Sequence, residues 1–138
     1  GPVYQAGTLS GTPVAMAAGR AMLQQLNADE TVYDDLALIT AKLEQGFQRN
    51  LDALDLPYTM NRIGSMISLF FTNEKVKDFE LAKSCDTALF GQYFRNMLES
   101  GIYLPPSQFE SLFISKAITV DIVEEIVEAN KQALEKLA

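Results

Sequence analysis

The chain has no histidine, no tryptophan and a single cysteine, Cys85. Without histidine, neither a Ser-His-Asp nor a Cys-His catalytic arrangement can be assembled from these residues. One thiol and no imidazole exclude a zinc site built from nitrogen and sulfur ligands, and no metal site is expected. A lone cysteine forms no intrachain disulfide, which points to a reducing compartment and a cytoplasmic protein. Acid–base chemistry is left to carboxylates, lysines, tyrosines or a cofactor. Positive charge is also scarce: 11 Lys and Arg against 18 Asp and Glu leave a net charge of -7. Such a surface has no basic face with which to displace counterions from phosphates, so neither nucleic acid nor an anionic membrane is expected as a partner. No apolar run approaches the ~20 residues that span a bilayer, and no basic stretch with an apolar core behind it marks a secretion signal. What is present is a globular composition: 48% hydrophobic and 21% charged residues over 138 positions suffice for one buried core and are too apolar for disorder.

The chain opens on Gly1-Pro2-Val3-Tyr4-Gln5-Ala6-Gly7-Thr8-Leu9-Ser10-Gly11-Thr12-Pro13, dense in small and hydroxylated residues. Thr12 is a suitable N-cap, and Pro13 at the first helical position gives up an N–H that has no partner there. Gly7 and Gly11 permit close backbone approach. Free amides, hydroxyls and a helix N-terminus in one short loop suit an anion; the same residues also read simply as a turn before a capped helix.

Val14–Leu26 is an Ala-rich helix whose small residues suit close packing against a neighbour. In Val32–Leu54, Leu36, Ile39, Leu43, Phe47, Leu51 and Leu54 recur at spacings of three and four, a helical stripe ended by Leu56-Pro57. Gly46 weakens that helix by roughly 1 kcal/mol relative to alanine, so a close contact is expected there. Tyr58–Arg62 and Met66–Thr72 read as an antiparallel hairpin around Gly64, with the apolar second run central in a sheet. Phe79–Ser84 and Asp86–Ser100 are helical, Gly101 fits a C-terminal cap, and Leu112-Phe113-Ile114 supplies a third strand. A last helix begins at Thr119 or Asp121 and runs to about Leu137. Ser107-Gln108-Phe109-Glu110 has the form of a capping box, or else of a plain loop or turn. Cys85 is expected as a small buried or half-buried residue and not as a nucleophile. The class is α+β: two helices, then a small antiparallel sheet of about three strands covered by helices.

Two blocks carry a resemblance. Tyr4-Gln5-Ala6-Gly7-Thr8-Leu9-Ser10-Gly11-x-Pro13 with Ala15-Met16-Ala17-Ala18-Gly19 resembles the phosphate-loop segment of the glutamate-1-semialdehyde 2,1-aminomutase family. Tyr93-Phe94-x-x-Met97-Leu98-Glu99-x-Gly101-Ile102-Tyr103-Leu104-Pro105-Pro106-Ser107-Gln108-Phe109-Glu110 resembles a second segment, at the matching separation. The family uses pyridoxal 5'-phosphate (PLP) on the fold-type-I, class-III aminotransferase scaffold, and isomerises glutamate-1-semialdehyde to 5-aminolevulinate in tetrapyrrole (porphyrin) synthesis. The resemblance implies that this is the C-terminal small domain of a longer enzyme, with the PLP-bearing lysine and the large domain upstream, and that the chain alone is inactive. It implies that residues 1–56 form the phosphate loop and bridging helices, and residues 57–138 the small domain. It carries over Gly7 and Thr8 as contacts to the PLP phosphate of the neighbouring subunit in a homodimer, with Ser10 and Tyr4 as weaker candidates in the same loop. Glu110 falls in the family's Pro-Ser-x-Phe-Glu motif near the active site, and no catalytic residue is assigned in this chain. The partners implied are the rest of the enzyme, a second copy and a small-molecule substrate. Thr12 stands where the family usually has Asn, and Ile118 where it often has His. Two other readings are a different class-III aminotransferase and a non-catalytic interaction domain; the second predicts a clean monomer without an exposed apolar patch.

Overall fold

The computed structural model describes residues 2–4 and 6–137. They form two compact units, Gly1–Val32 and Tyr33–Ala138.

In the first unit, a loop leads into helix α1 (Pro13–Ala28). Thr12 has the extended backbone of an N-cap, but its side chain does not cap the helix. Its hydroxyl turns back and donates to the Leu9 carbonyl at 3.1 Å, which leaves the first-turn amides without a capping oxygen. Helix α1 buries none of its residues: Val14 is 82% and Leu23 68% exposed. The sequence pattern suits a packed helix, yet residues 2–32 hold no second element to pack against it.

In the second unit, α2 (Val32–Ala53, from its second residue) precedes the hairpin β1 (Thr59–Ile63) and β2 (Met66–Phe70). Helices α3 (Phe79–Ser84) and α4 (Thr87–Glu99), strand β3 (Leu112–Phe113) and helix α5 (Val120–Glu135) follow. Strand order is β1-β2-β3, antiparallel throughout, with Thr59 opposite Phe70 and Ile67 opposite Leu112. Central strand β2 is apolar except at Ser68, and its two faces contribute to different cores. Ile67, Leu69 and Phe71 enter the main core, while Phe70 packs with Val76 and Cys85 on a smaller one. Helix α2 contributes Leu43, Phe47 and Leu51 to the main core, α4 contributes Tyr93 and Met97, and α5 contributes Val123, Ile126, Ala133 and Leu134. Residues 33–56, grouped above with the bridge toward a larger domain, thus pack with the sheet.

Helix starts follow side-chain chemistry. Asp78, Asp86 and Thr119 accept from the amides of Leu81, Leu89 and Ile122, each satisfying one orphan donor. Gly101, with φ +84°, follows the end of α4, while Asp55 does the same after α2 with φ +52° and no glycine's freedom. An alanine Cβ at Gly46 would collide with Val127 Cγ2, the close α2–α5 contact expected there. Asn50, Asn130 and Tyr93 form a buried chain across α2, α5 and α4. Asn50 Nδ2 donates to Asn130 Oδ1 and to the Val127 carbonyl, both at 2.8 Å, and Asn130 Nδ2 donates to the Tyr93 hydroxyl at 2.7 Å.

Candidate functional site

The residues singled out fall in two places, one in each unit. In the first unit, residues 8–11 are a turn closed by the Ser10 amide donating to the Gly7 carbonyl at 3.0 Å. The Thr12 amide donates to the Leu9 carbonyl at 3.3 Å, and Gly11 takes a φ of +79°. This curl brings Gly7 and Ser10 together: a Cβ on Gly7 would stand 2.9 Å from Ser10 Oγ, so a larger residue would fill the hollow of the turn. Gly7, Thr8 and Ser10 are exposed, and Tyr4 is 92% exposed. Among the described residues, the Gly7 and Thr8 amides have no intrachain acceptor. Gln5 lies outside the described residues. The loop therefore presents two amides, the Thr8 hydroxyl and the uncapped N-terminus of α1 to solvent, a donor set suited to an anion.

In the second unit, Ser107–Glu110 is a turn and not the start of a helix. The Glu110 amide donates to the Ser107 carbonyl at 3.1 Å, and Ser107 Oγ accepts from the Phe109 amide at 3.2 Å. A capping box needs helix after it; here the chain passes directly into β3, so the serine oxygen closes a tight turn instead. Glu110 is exposed at the end of this turn. The Phe109 and Phe79 rings lie 6.0 Å apart, and Gln108 Nε2 donates to the Ala82 carbonyl at 3.1 Å, so the turn is held against α3. Nothing in the sequence marks Gln108 as a buried residue, since a glutamine after Pro-Pro-Ser reads as loop.

Three further titratable groups are shifted by burial. Cys85 is buried, and burial, with a smaller push from Glu74, raises its thiol above the usual range, opposed by backbone hydrogen bonding. A thiol so held is a poor nucleophile. Burial also raises the Tyr93 phenol strongly, against a small lowering from its Asn130 bond. Tyr58 is raised by burial and by the Asp86 charge. Among the described residues, no cluster of carboxylate or thiol groups suits a metal ion, and no helix is long and apolar enough to cross a membrane.

The fold is one already known. A transaminase structure with PLP bound matches 99% of the chain with a TM-score of 0.79 at 17% identity, over 30% of its own length. A glutamate-1-semialdehyde aminomutase structure from Pseudomonas aeruginosa PAO1 matches 96% of the chain with a TM-score of 0.84 at 25% identity, over 29% of its own. The chain is therefore part of the aminotransferase-fold class. No family model matches it. In sequence it is 50% identical, over 137 residues, to the glutamate-1-semialdehyde 2,1-aminomutase of Cytophaga hutchinsonii, which covers 99% of the chain and 32% of that relative. Over the stretch it spans, the chain matches glutamate-1-semialdehyde 2,1-aminomutases at 46–51% identity, and it spans about a third of the length of these curated relatives.

Proposed function

We propose that this chain is the C-terminal part of a PLP-dependent enzyme that isomerises glutamate-1-semialdehyde to 5-aminolevulinate, in the cytoplasm, on the route to tetrapyrroles. The observation that carries the reading is the exposed, donor-rich turn around Gly7 and Thr8 in a chain half identical to a named aminomutase. PLP, when bound, supplies the electron sink that moving an amino group between adjacent carbons requires. The residues of this chain bind and orient. The Gly7 and Thr8 amides and the Thr8 hydroxyl donate to the cofactor's phosphate, where charge-assisted bonds are roughly twice as strong as neutral ones. The missing Cβ at Gly7 leaves the hollow of the turn open to that group. Ser10 and Tyr4 stand beside it, and the cofactor so held is the one carried by a second copy of the enzyme in a homodimer. Glu110 sits near the substrate as a polar contact and moves no proton. The proton-transferring lysine lies in the remaining two thirds of the enzyme, so the chain alone is inactive.

The test is an assay of the longer protein, comprising this chain and the sequence upstream of it, loaded with PLP and supplied with glutamate-1-semialdehyde. The expected result is 5-aminolevulinate without any added 2-oxo acid, and none from the chain alone. Transamination that depends on 2-oxoglutarate and yields no 5-aminolevulinate would assign the chain to a different aminotransferase.

A further inference from the structure

Gln108 is 4% exposed in a turn whose other residues are half-buried or open to solvent. Stability alone does not account for an amide there. Nε2 donates to the Ala82 carbonyl at 3.1 Å, but that carbonyl also accepts from the Cys85 amide at 3.3 Å and has a partner without the glutamine. Oε1 is closed to solvent and accepts no hydrogen bond among the described residues. A buried oxygen left unpaired costs at least as much as one neutral hydrogen bond returns. Methionine, of similar length, would therefore serve stability as well or better. What the glutamine adds is direction: apolar contact is non-directional, whereas a hydrogen bond sets where the turn meets α3.

The next residue makes a second attachment to the same helix, since the Phe109 ring lies 6.0 Å from the ring of Phe79, the first residue of α3. Two points of attachment fix an orientation where one would leave a pivot. On the other side of Glu110, Ser111 Oγ shares a hydrogen bond with Ser68 Oγ of β2 at 3.0 Å. Helix α3 is itself held, by the Asp78 cap and by Leu81 and Ala82 packed on the Phe70–Val76–Cys85 core. Glu110 is thus an exposed carboxylate bracketed by anchored neighbours. We infer that Gln108 and Phe79 are positioning residues, and that α3 is the platform holding Glu110 where substrate meets it. The inference rests on the reading of Glu110 as a substrate contact. A loosened turn must be ordered again at each binding event, and the fraction of molecules with Glu110 in place scales the apparent affinity. The loss falls on KM and not on kcat.

The test is steady-state turnover of glutamate-1-semialdehyde by the longer protein loaded with PLP. The parent is compared with Gln108→Met, Phe79→Ala, Glu110→Ala and the pairs Q108M/E110A and F79A/E110A. Q108M and F79A should each raise KM about two- to tenfold, the worth of one hydrogen bond, with kcat little changed. The urea midpoint of Q108M should stay at or above the parent's. On the E110A background the same substitutions should add nothing, because a positioning residue acts only through the group it positions. Phe79 is 63% exposed, so F79A leaves the core intact whatever becomes of Q108M. If the parent turns over no glutamate-1-semialdehyde, or E110A leaves KM unchanged, the inference falls together with the reading it rests on. If E110A raises KM while Q108M and F79A leave it unchanged or act additively with E110A, the inference falls alone. A Q108M midpoint clearly below the parent's would give the glutamine a plain stabilising role and overturn it too.

Discussion

Three polar side chains hold three helices in one register. Asn130 accepts from Asn50 and donates to Tyr93, all inside the core. Asn130→Ala would remove a volume from the core and strip partners from two buried groups, for an expected loss of about 2–4 kcal/mol in urea unfolding. Tyr93 also predicts a pH effect. Its folded pKa is raised above the ordinary 10.0 by burial, so the folded state holds the phenol neutral where the unfolded chain ionises it. That stability is present in full below pH 10 and is lost as pH rises toward the folded value. Alkaline titration followed by tyrosinate absorbance and circular dichroism together should therefore show Tyr93 ionising only as the protein unfolds. Ionisation with full retention of helical signal would contradict its burial.

Between elements, the α2–α5 contact turns on Gly46 against Val127. Alanine improves helix propensity by roughly 1 kcal/mol, yet overpacking a tight contact costs about 1–3 kcal/mol. Gly46→Ala should therefore destabilise, and Val127→Ala in the same chain should restore most of the loss; additive effects in that cycle would show that the helices do not meet there. Asp55 offers the opposite case. With φ +52° after α2, it holds a conformation that glycine adopts freely, so Asp55→Gly is expected to raise the urea midpoint by about 0.5–1 kcal/mol of stability.

These elements were legible in the sequence to unequal degrees. The stripe from Leu36 to Leu54 and the apolar Met66–Phe71 run are local patterns, and local patterns determine where helices and strands lie, whereas the acidic caps at Asp78 and Asp86 emerged only in the structure. Thr12 and Ser107 were not legible, because each hydroxyl chose a nearer partner over the cap its position suggests: Leu9 in one case, Phe109 in the other. The Asn50–Asn130–Tyr93 chain joins residues up to 80 positions apart, and no spacing rule reaches that far. In the candidate site, the Gly-Thr-Leu-Ser-Gly string was visible as donor-rich, whereas the burial of Gln108 depends on α3 folding over it.

At the scale of the whole molecule, α1 is a helix that buries none of its residues. Its apolar side chains, Val14, Met16, Met22 and Leu23, are exposed, and the chain spans about a third of its relatives. Alone, it should associate in a concentration-dependent way, more strongly as added salt screens the net charge of -7. Size-exclusion at two concentrations would read this, and a concentration-independent monomer would argue for a self-sufficient interaction domain.

The most direct test of the account is the affinity of the longer enzyme for PLP, compared with a Thr8→Val variant that keeps the shape and loses the hydroxyl. If the loop holds the phosphate, the dissociation constant rises by about 10- to 100-fold, the worth of one hydrogen bond to a charged group. An unchanged dissociation constant would mean that the opening turn does not hold the cofactor.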